Sequence, residues 1–310
     1  MKKITDRISD TSNIPKELLM ERPPFPGKAK IEITSRCDLK CFFCASANNK
    51  GRKGNIDKAF LHRILVELKD LGVEDVGIFW LGESLLIKEL PEYVALAKRI
   101  GIKYVFITTN GRLATPDTMK RLMDSGLDSI KFSINAGGRR QYLEICGVDA
   151  FDQVIDNLRS ARSLRGDKKE PAIYASTVFD PNNPQTFEDV KSLIGSCVDQ
   201  HYPLRIYGPQ TYEKNSRGKK NMAKPENEVA PRTLTSMLPC WSLFTEPHIS
   251  FDGHLSACYC DNDPKLFMGN LNEMSLMEAW HSPEFVLLRR QHLNRNVKGS
   301  ACENCIAYDH

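Results

Sequence analysis

The chain has 310 residues, 41% of them hydrophobic and 26% charged, with a net charge of +4. That composition is ordinary for a globular protein and too weakly basic to argue for nucleic acid. No apolar run nears the roughly 18 residues that span a membrane, and residues 1–20 carry Lys2 and Lys3 but neither an apolar stretch nor a cleavage site, so no secretory signal is read there. Residues 1–27 end in the proline-rich Arg22-Pro-Pro-Phe-Pro-Gly27 and read as an N-terminal extension and linker. From residue 28, short apolar runs (29–34, 76–82, 104–110, 129–135, 172–179 and 204–208) alternate with helix-period segments at 57–71, 88–100, 116–125, 150–165 and 186–196. Asp57 and Thr115-Pro116 suit helix starts, and Gly72, Gly101 and Gly126 suit helix stops. Six βα units in series predict an α/β fold with a parallel sheet and ligands at the carboxyl ends of its strands. A doubly wound sheet is the alternative, but no glycine-rich dinucleotide fingerprint follows the first strand. Residues 210–235 are polar, basic and without periodicity, a loop or linker in which Arg217, Lys219 and Lys220 either face solvent or help cover a site. The last stretch, 236–310, offers a hairpin turning at Asp252-Gly253 and helix-like segments at 275–280 and 282–293.

Ten cysteines without a secretion signal point to a reducing, cytoplasmic compartment and to metal rather than disulfides. Three of them, Cys37, Cys41 and Cys44, have the spacing C-x3-C-x2-C directly after the first strand. Three thiolates on one loop can hold three corners of a 4Fe–4S cube and leave the fourth iron open. The same spacing puts three cysteines on one helical face, and it also allows zinc.

The cysteine loop follows Ala29-Lys-Ile-Glu-Ile-Thr34 and carries Phe43 just before its third cysteine. It resembles the signature of the radical S-adenosylmethionine (SAM) superfamily. The resemblance implies a partial (β/α)6 barrel over residues 28–235 whose open iron chelates SAM. Reductive cleavage of SAM then gives a 5′-deoxyadenosyl radical that takes hydrogen from a substrate carbon, with a flavodoxin- or ferredoxin-type protein as electron donor. Leu81-Gly82-Glu83 resembles the family's Gly-Gly-Glu motif, with Leu81 replacing the first glycine. The motif implies that Gly82 and Glu83 meet the SAM amino group; an exposed loop acid is the plainer role for Glu83. Asn110 after the third strand, and Ser133 and Asn135 at the end of the fourth, fit the SAM and ribose contacts of the family, or simply a tight turn and strand-end polar residues.

Cys240-Trp241, Asp252-Gly253, Cys258, Gly269-Asn-Leu, Glu278-Ala-Trp280 and Cys302-x2-Cys305 resemble the SPASM/Twitch extension of that superfamily, in its shorter Twitch form of a β-hairpin plus helix. This implies an auxiliary 4Fe–4S cluster on Cys240, Cys258, Cys302 and Cys305; a three-cysteine cluster or a structural zinc are the alternatives. Cys146 and Cys197 suit small buried hydrophobes. Cys260 shares a face with Cys258 in an extended chain, and is a substitute ligand, a hydrogen-atom donor or a bystander. Trp80, Trp241 and Trp280 suit the core; His248 and His254 suit solvent-facing positions beside the hairpin. No basic phosphate cradle or hydrolytic triad is visible.

The expected reaction is dehydrogenation of a small carbohydrate-like alcohol, with the auxiliary cluster as electron acceptor. Epimerisation of a sugar through Cys260 and modification of a peptide are the rivals, and a zinc-binding module is the non-enzymatic one.

Overall fold

The computed structural model describes residues 3–44, 53–179, 183–205, 238–260, 263–303 and 305. The six expected strands form one parallel sheet: β1 (Lys28–Ile31), β2 (Asp75–Gly77), β3 (Tyr104–Thr109), β4 (Ser129–Ser133), β5 (Ala172–Phe179) and β6 (Gln200–Arg205). They make the open partial barrel. Three further strands continue it past β1: β7 (His248–Ile249) pairs parallel to β1, and β8 (His254–Ser256) and β9 (Phe267–Asn270) follow antiparallel. The order is β6-β5-β4-β3-β2-β1-β7-β8-β9. The C-terminal hairpin therefore extends the barrel's own sheet.

Besides α1 (Ile4–Ser12) and α5 (Arg139–Cys146), which the sequence analysis did not anticipate, the helices follow the predicted periods: α2 (Lys58–Asp70), α3 (Leu90–Ile100), α4 (Pro116–Asp124), α6 (Phe151–Arg165), α7 (Gln185–Ile194), α8 (Leu276–Trp280) and α9 (Pro283–Leu293). Asp57 caps α2 by accepting from the Phe60 N–H at 2.9 Å, and Thr115 caps α4 with Pro116 in its first turn. Gly101 ends α3 at φ 102°, a left-handed turn that a side chain would strain. Among the described residues no helix is long and apolar enough to cross a membrane.

Two elements differ from expectation, and one cannot be compared. The sixth strand begins at Gln200 rather than 204, because Pro203 breaks the strand signal; β6 is an edge strand, where proline is tolerated. Residues 206–237, including the expected linker with Arg217, Lys219 and Lys220, lie outside the described residues. The N-terminal extension is not merely a linker: α1 packs across the amino-terminal ends of the strands. Arg7 pairs with Asp75 of β2 at 2.6 Å and lies 3.5 Å over the Tyr104 ring of β3, while Thr5 accepts from Gln200 of β6 at 2.8 Å. Residues 21–25 then strap the C-terminal helices, with Glu21 on Arg290 and the Pro23 carbonyl accepting from Trp280.

Both Arg7 and Asp75 are mostly buried, so Arg7→Ala leaves a desolvated carboxylate and removes a cation–π contact. The expected cost is about 2 kcal/mol, read as a lowered urea midpoint at unchanged slope.

Candidate active site

Residues 37–44 are not helical, which removes the shared helical face as the reason for their spacing. The loop is held from two sides. Ser35 N–H donates to the Gly54 carbonyl at 3.1 Å, and Lys40 and Phe42 N–H donate to the carbonyls of Cys146 and Ile145 at the end of α5. Cys44 N–H closes a turn on the Cys41 carbonyl at 3.0 Å. Cys37 is exposed, while Cys41 and Cys44 are half-buried. Phe43 sits beside Phe42, ring centroids 5.4 Å apart. A hydrogen bond with buried Cys146, then burial, pushes the Cys41 thiol up. Thiols that ionise so reluctantly become thiolates when a metal supplies the positive charge. The donor set therefore fits an iron–sulfur cluster.

The loop after β2 crosses directly over this segment. A Cβ on Gly82 would overlap the Thr34 carbonyl oxygen and stand 2.8 Å from that of Arg36, so glycine is required for the approach. Glu83 N–H donates to the Arg36 carbonyl at 2.8 Å. Glu83 is not an exposed loop acid: it is 3% exposed. Its Oε1 accepts from Leu85 N–H and from the Thr109 hydroxyl, and its Oε2 from Asn110 N–H at 2.7 Å. Burial raises its carboxyl to about 7 against the pull of those bonds. Asn110 Nδ2 donates to Asp38 at 2.7 Å, and Arg112 pairs with the same carboxylate at 3.2 Å. Asp38, Thr109 and Arg112 escaped the sequence analysis, although Asp38 directly follows Cys37. Ser133 is half-buried at the end of β4, and Asn135 Oδ1 accepts from Val178 N–H at 2.9 Å.

The C-terminal thiols come from three elements. Cys240 N–H donates to His292 Nδ1 of α9 at 3.2 Å, and Cys305 N–H donates to the Cys302 carbonyl. Burial, then Cys240, Cys258 and Cys305, push the Cys302 thiol up, so the four expected cysteines feel one another. Cys260 lies against this set: its N–H donates to Cys258 Sγ at 3.3 Å, and the Cys258 side chain and burial push its thiol up. Among the described residues no three His, Cys, Asp or Glu side chains already form a metal-holding group. The thiols are gathered rather than locked, and as a sulfur-rich donor set they suit an iron–sulfur cluster or zinc.

The two cysteine sets are joined through one loop. Trp80 is half-buried and not core; its indole N–H donates to the Tyr259 carbonyl at 2.8 Å, between Cys258 and Cys260. Two residues on, Gly82 and Glu83 rest on the first loop. Trp241 is likewise half-buried, its ring 4.6 Å from that of Tyr259; Trp280 alone of the three is core, fully buried.

Strand alternation sorts the sheet into two faces. Ile31, Val76, Ile107, Ile130 and Phe132 are buried among the helices. Opposite them the register sets Lys30 beside Gly77 and His248, and Lys131 beside Thr108 and Tyr174. This inner face is charged. Lys30 pairs with Glu246 at 2.6 Å, and Glu246 stands 3.5 Å from His248. Lys30 and its partners hold the Glu246 carboxyl down to about 2 against its burial. His248 is fully buried rather than solvent-facing, while His254 is partly exposed beside Asp252.

The family model for the radical SAM superfamily matches residues 31–194, and that for an iron–sulfur cluster-binding (SPASM) domain matches 240–306. A probable GTP 3′,8-cyclase of Saccharolobus islandicus is 35% identical over 132 residues, 43% of this chain and 42% of that protein. The GTP 3′,8-cyclase of Mycobacterium ulcerans is 27% identical over 225 residues, 70% of this chain and 59% of that protein. The chain thus spans about two fifths of the first relative and three fifths of the second. The crystal structure of BtrN in complex with AdoMet and 2-DOIA matches 92% of this chain and 98% of that one, with TM-score 0.56 and 18% identity. Streptococcus suis SuiB bound to S-adenosylmethionine matches 92% of this chain and 72% of that one, with TM-score 0.66 and 20% identity.

Proposed function

Because this chain belongs to the radical SAM superfamily, with 4Fe–4S clusters and SAM as its cofactors, we propose that it dehydrogenates a small polar alcohol of carbohydrate type. When bound, the cofactors supply a 5′-deoxyadenosyl radical at one end of the site and an electron acceptor at the other. Cys37, Cys41 and Cys44 would hold the first cluster, and Cys240, Cys258, Cys302 and Cys305 the second. Phe43, Gly82, Glu83, Asn110, Ser133 and Asn135 would border SAM, with a flavodoxin- or ferredoxin-type donor supplying electrons. The net change on the substrate is loss of a hydrogen atom from carbon, a proton from its hydroxyl and one electron.

The observation that carries this reading is the charged inner face. Lys30, Glu246, Lys131 and His248 form an interior that a small hydrophilic molecule can satisfy and an apolar one cannot. BtrN has been solved in complex with AdoMet and 2-DOIA. A peptide is the second reading, because SuiB has been solved with its precursor peptide SuiA. Epimerisation through Cys260 is disfavoured, since its half-buried thiol is hydrogen-bonded to the Cys258 side chain.

The test is the reconstituted, reduced enzyme in heavy water with aminocyclitols, amino sugars and sugar acids. A ketone, formed at one SAM per turnover and still made by Cys260→Ala, is the expected result. One solvent deuterium at an inverted carbon, lost in Cys260→Ala, would replace dehydrogenation by epimerisation.

A further inference from the structure

Lys131 stands at the middle of the inner face, on β4, one strand from Thr108 and one from Tyr174. Its Nζ lies 5.9 Å from the centroid of the Tyr202 ring on β6. Among the described residues it has no ion pair. Burial, with a lesser contribution from the like charge of Lys30, lowers the Lys131 ammonium to about 8. The carboxylates on this face stand elsewhere: Glu246 is engaged by Lys30, Asp75 by Arg7, and Glu32 directly follows β1, three strands away, roughly 14 Å at ordinary strand spacing. A desolvated cation without a counter-ion costs stability unless a ligand compensates it.

A second observation marks the same place. Ser176 of β5 is fully buried, and its hydroxyl has no hydrogen-bond partner. The register pairs it with Ser133 on one side and Tyr202 on the other. Alternation puts Ser133 and Ser176 on the face that carries Lys131, one step nearer the carboxyl ends of the strands. A cation and an unpartnered hydroxyl on adjacent strands make a donor pair suited to an oxyanion.

We propose that Lys131, with the hydroxyl of Ser176, is the subsite for an anionic group, a phosphate or a carboxylate, on the substrate of this enzyme. The assignment rests on the substrate occupying the inner face, as in the function proposed above. It narrows the substrate to an alcohol bearing an acidic group, such as a sugar phosphate or a sugar acid.

The test is calorimetric titration of the reconstituted, SAM-loaded enzyme with inorganic phosphate and, separately, with malonate, at constant ionic strength. Saturable binding of either probe is expected, and the tighter one tells phosphate from carboxylate. Lys131→Met should weaken it at least tenfold, Lys131→Arg by no more than a few-fold, and Ser176→Ala about fivefold. Absence of binding in the wild type, or equal binding in Lys131→Met, overturns the subsite. Should Lys131→Met not fold, an unchanged Ser176→Ala overturns it instead. Formation of 5′-deoxyadenosine under dithionite is scored in parallel. If it persists while phosphate and malonate ignore Lys131, the subsite fails and the reaction class stands. If it is absent while anion binding depends on Lys131, the proposed reaction fails and the subsite stands.

Discussion

Replacing Cys37, Cys41 and Cys44 together with alanine is expected to abolish reductive formation of 5′-deoxyadenosine, by at least about a thousandfold, an effect of roughly 4 kcal/mol or more on the barrier. Iron should fall from about eight per chain to about four, the content of one cube. The physical reason is local. The three thiols sit on a non-helical loop held by backbone bonds to Gly54, Ile145 and Cys146, so alanine at all three removes the donors and leaves the loop's frame. The four C-terminal thiols belong to other elements and should retain their metal. Iron and 5′-deoxyadenosine, measured on one anaerobic preparation, check both halves. Full cleavage activity in the triple variant would sink the assignment, and zinc in place of the residual iron would make the C-terminal site structural.

Gly82→Ala should be nearly as damaging from outside the thiol set. The added methyl meets the backbone carbonyls of Thr34 and Arg36, which cannot swing aside as a side chain does. Relief requires the loop after β2 to lift, taking Glu83 off the Arg36 carbonyl and disturbing its bonds to Thr109 and Asn110. Overpacking of this kind costs about 1–3 kcal/mol and more against rigid neighbours. Less than half the normal iron at the first site and a loss of 5′-deoxyadenosine formation of about a hundredfold or more are expected. Gly138→Ala is the control, since nothing lies within 4 Å of its added Cβ. A fully loaded, active Gly82→Ala protein would show that the crossing is not required.

The parallel sheet was legible because helix and strand periods, caps and terminal glycines agreed from Asp57 to Gly126. Cys37, Cys41 and Cys44 were legible because their spacing is local. What the sequence hid depends on long-range contact. The helix α1 draws its role from Asp75, Tyr104 and Gln200, each far along the chain. His248 passes for a solvent-facing residue until β7 docks on β1 and buries it. Lys131 sits in Ser-Ile-Lys-Phe-Ser, where alternation alone suggests a surface lysine; only the curvature of the sheet turns that face inward. Glu83 was recognised by its motif, but its burial follows from Thr109 and Asn110 arriving from β3.

The segment from Trp80 to Glu83 acts as a ruler. Four residues of extended chain reach at most about 14 Å, and one end is fastened beside Cys258 while the other lies on the strip that leads to Cys37. The two cysteine sets, about 200 residues apart in sequence, are thus kept within a molecular distance of each other by four.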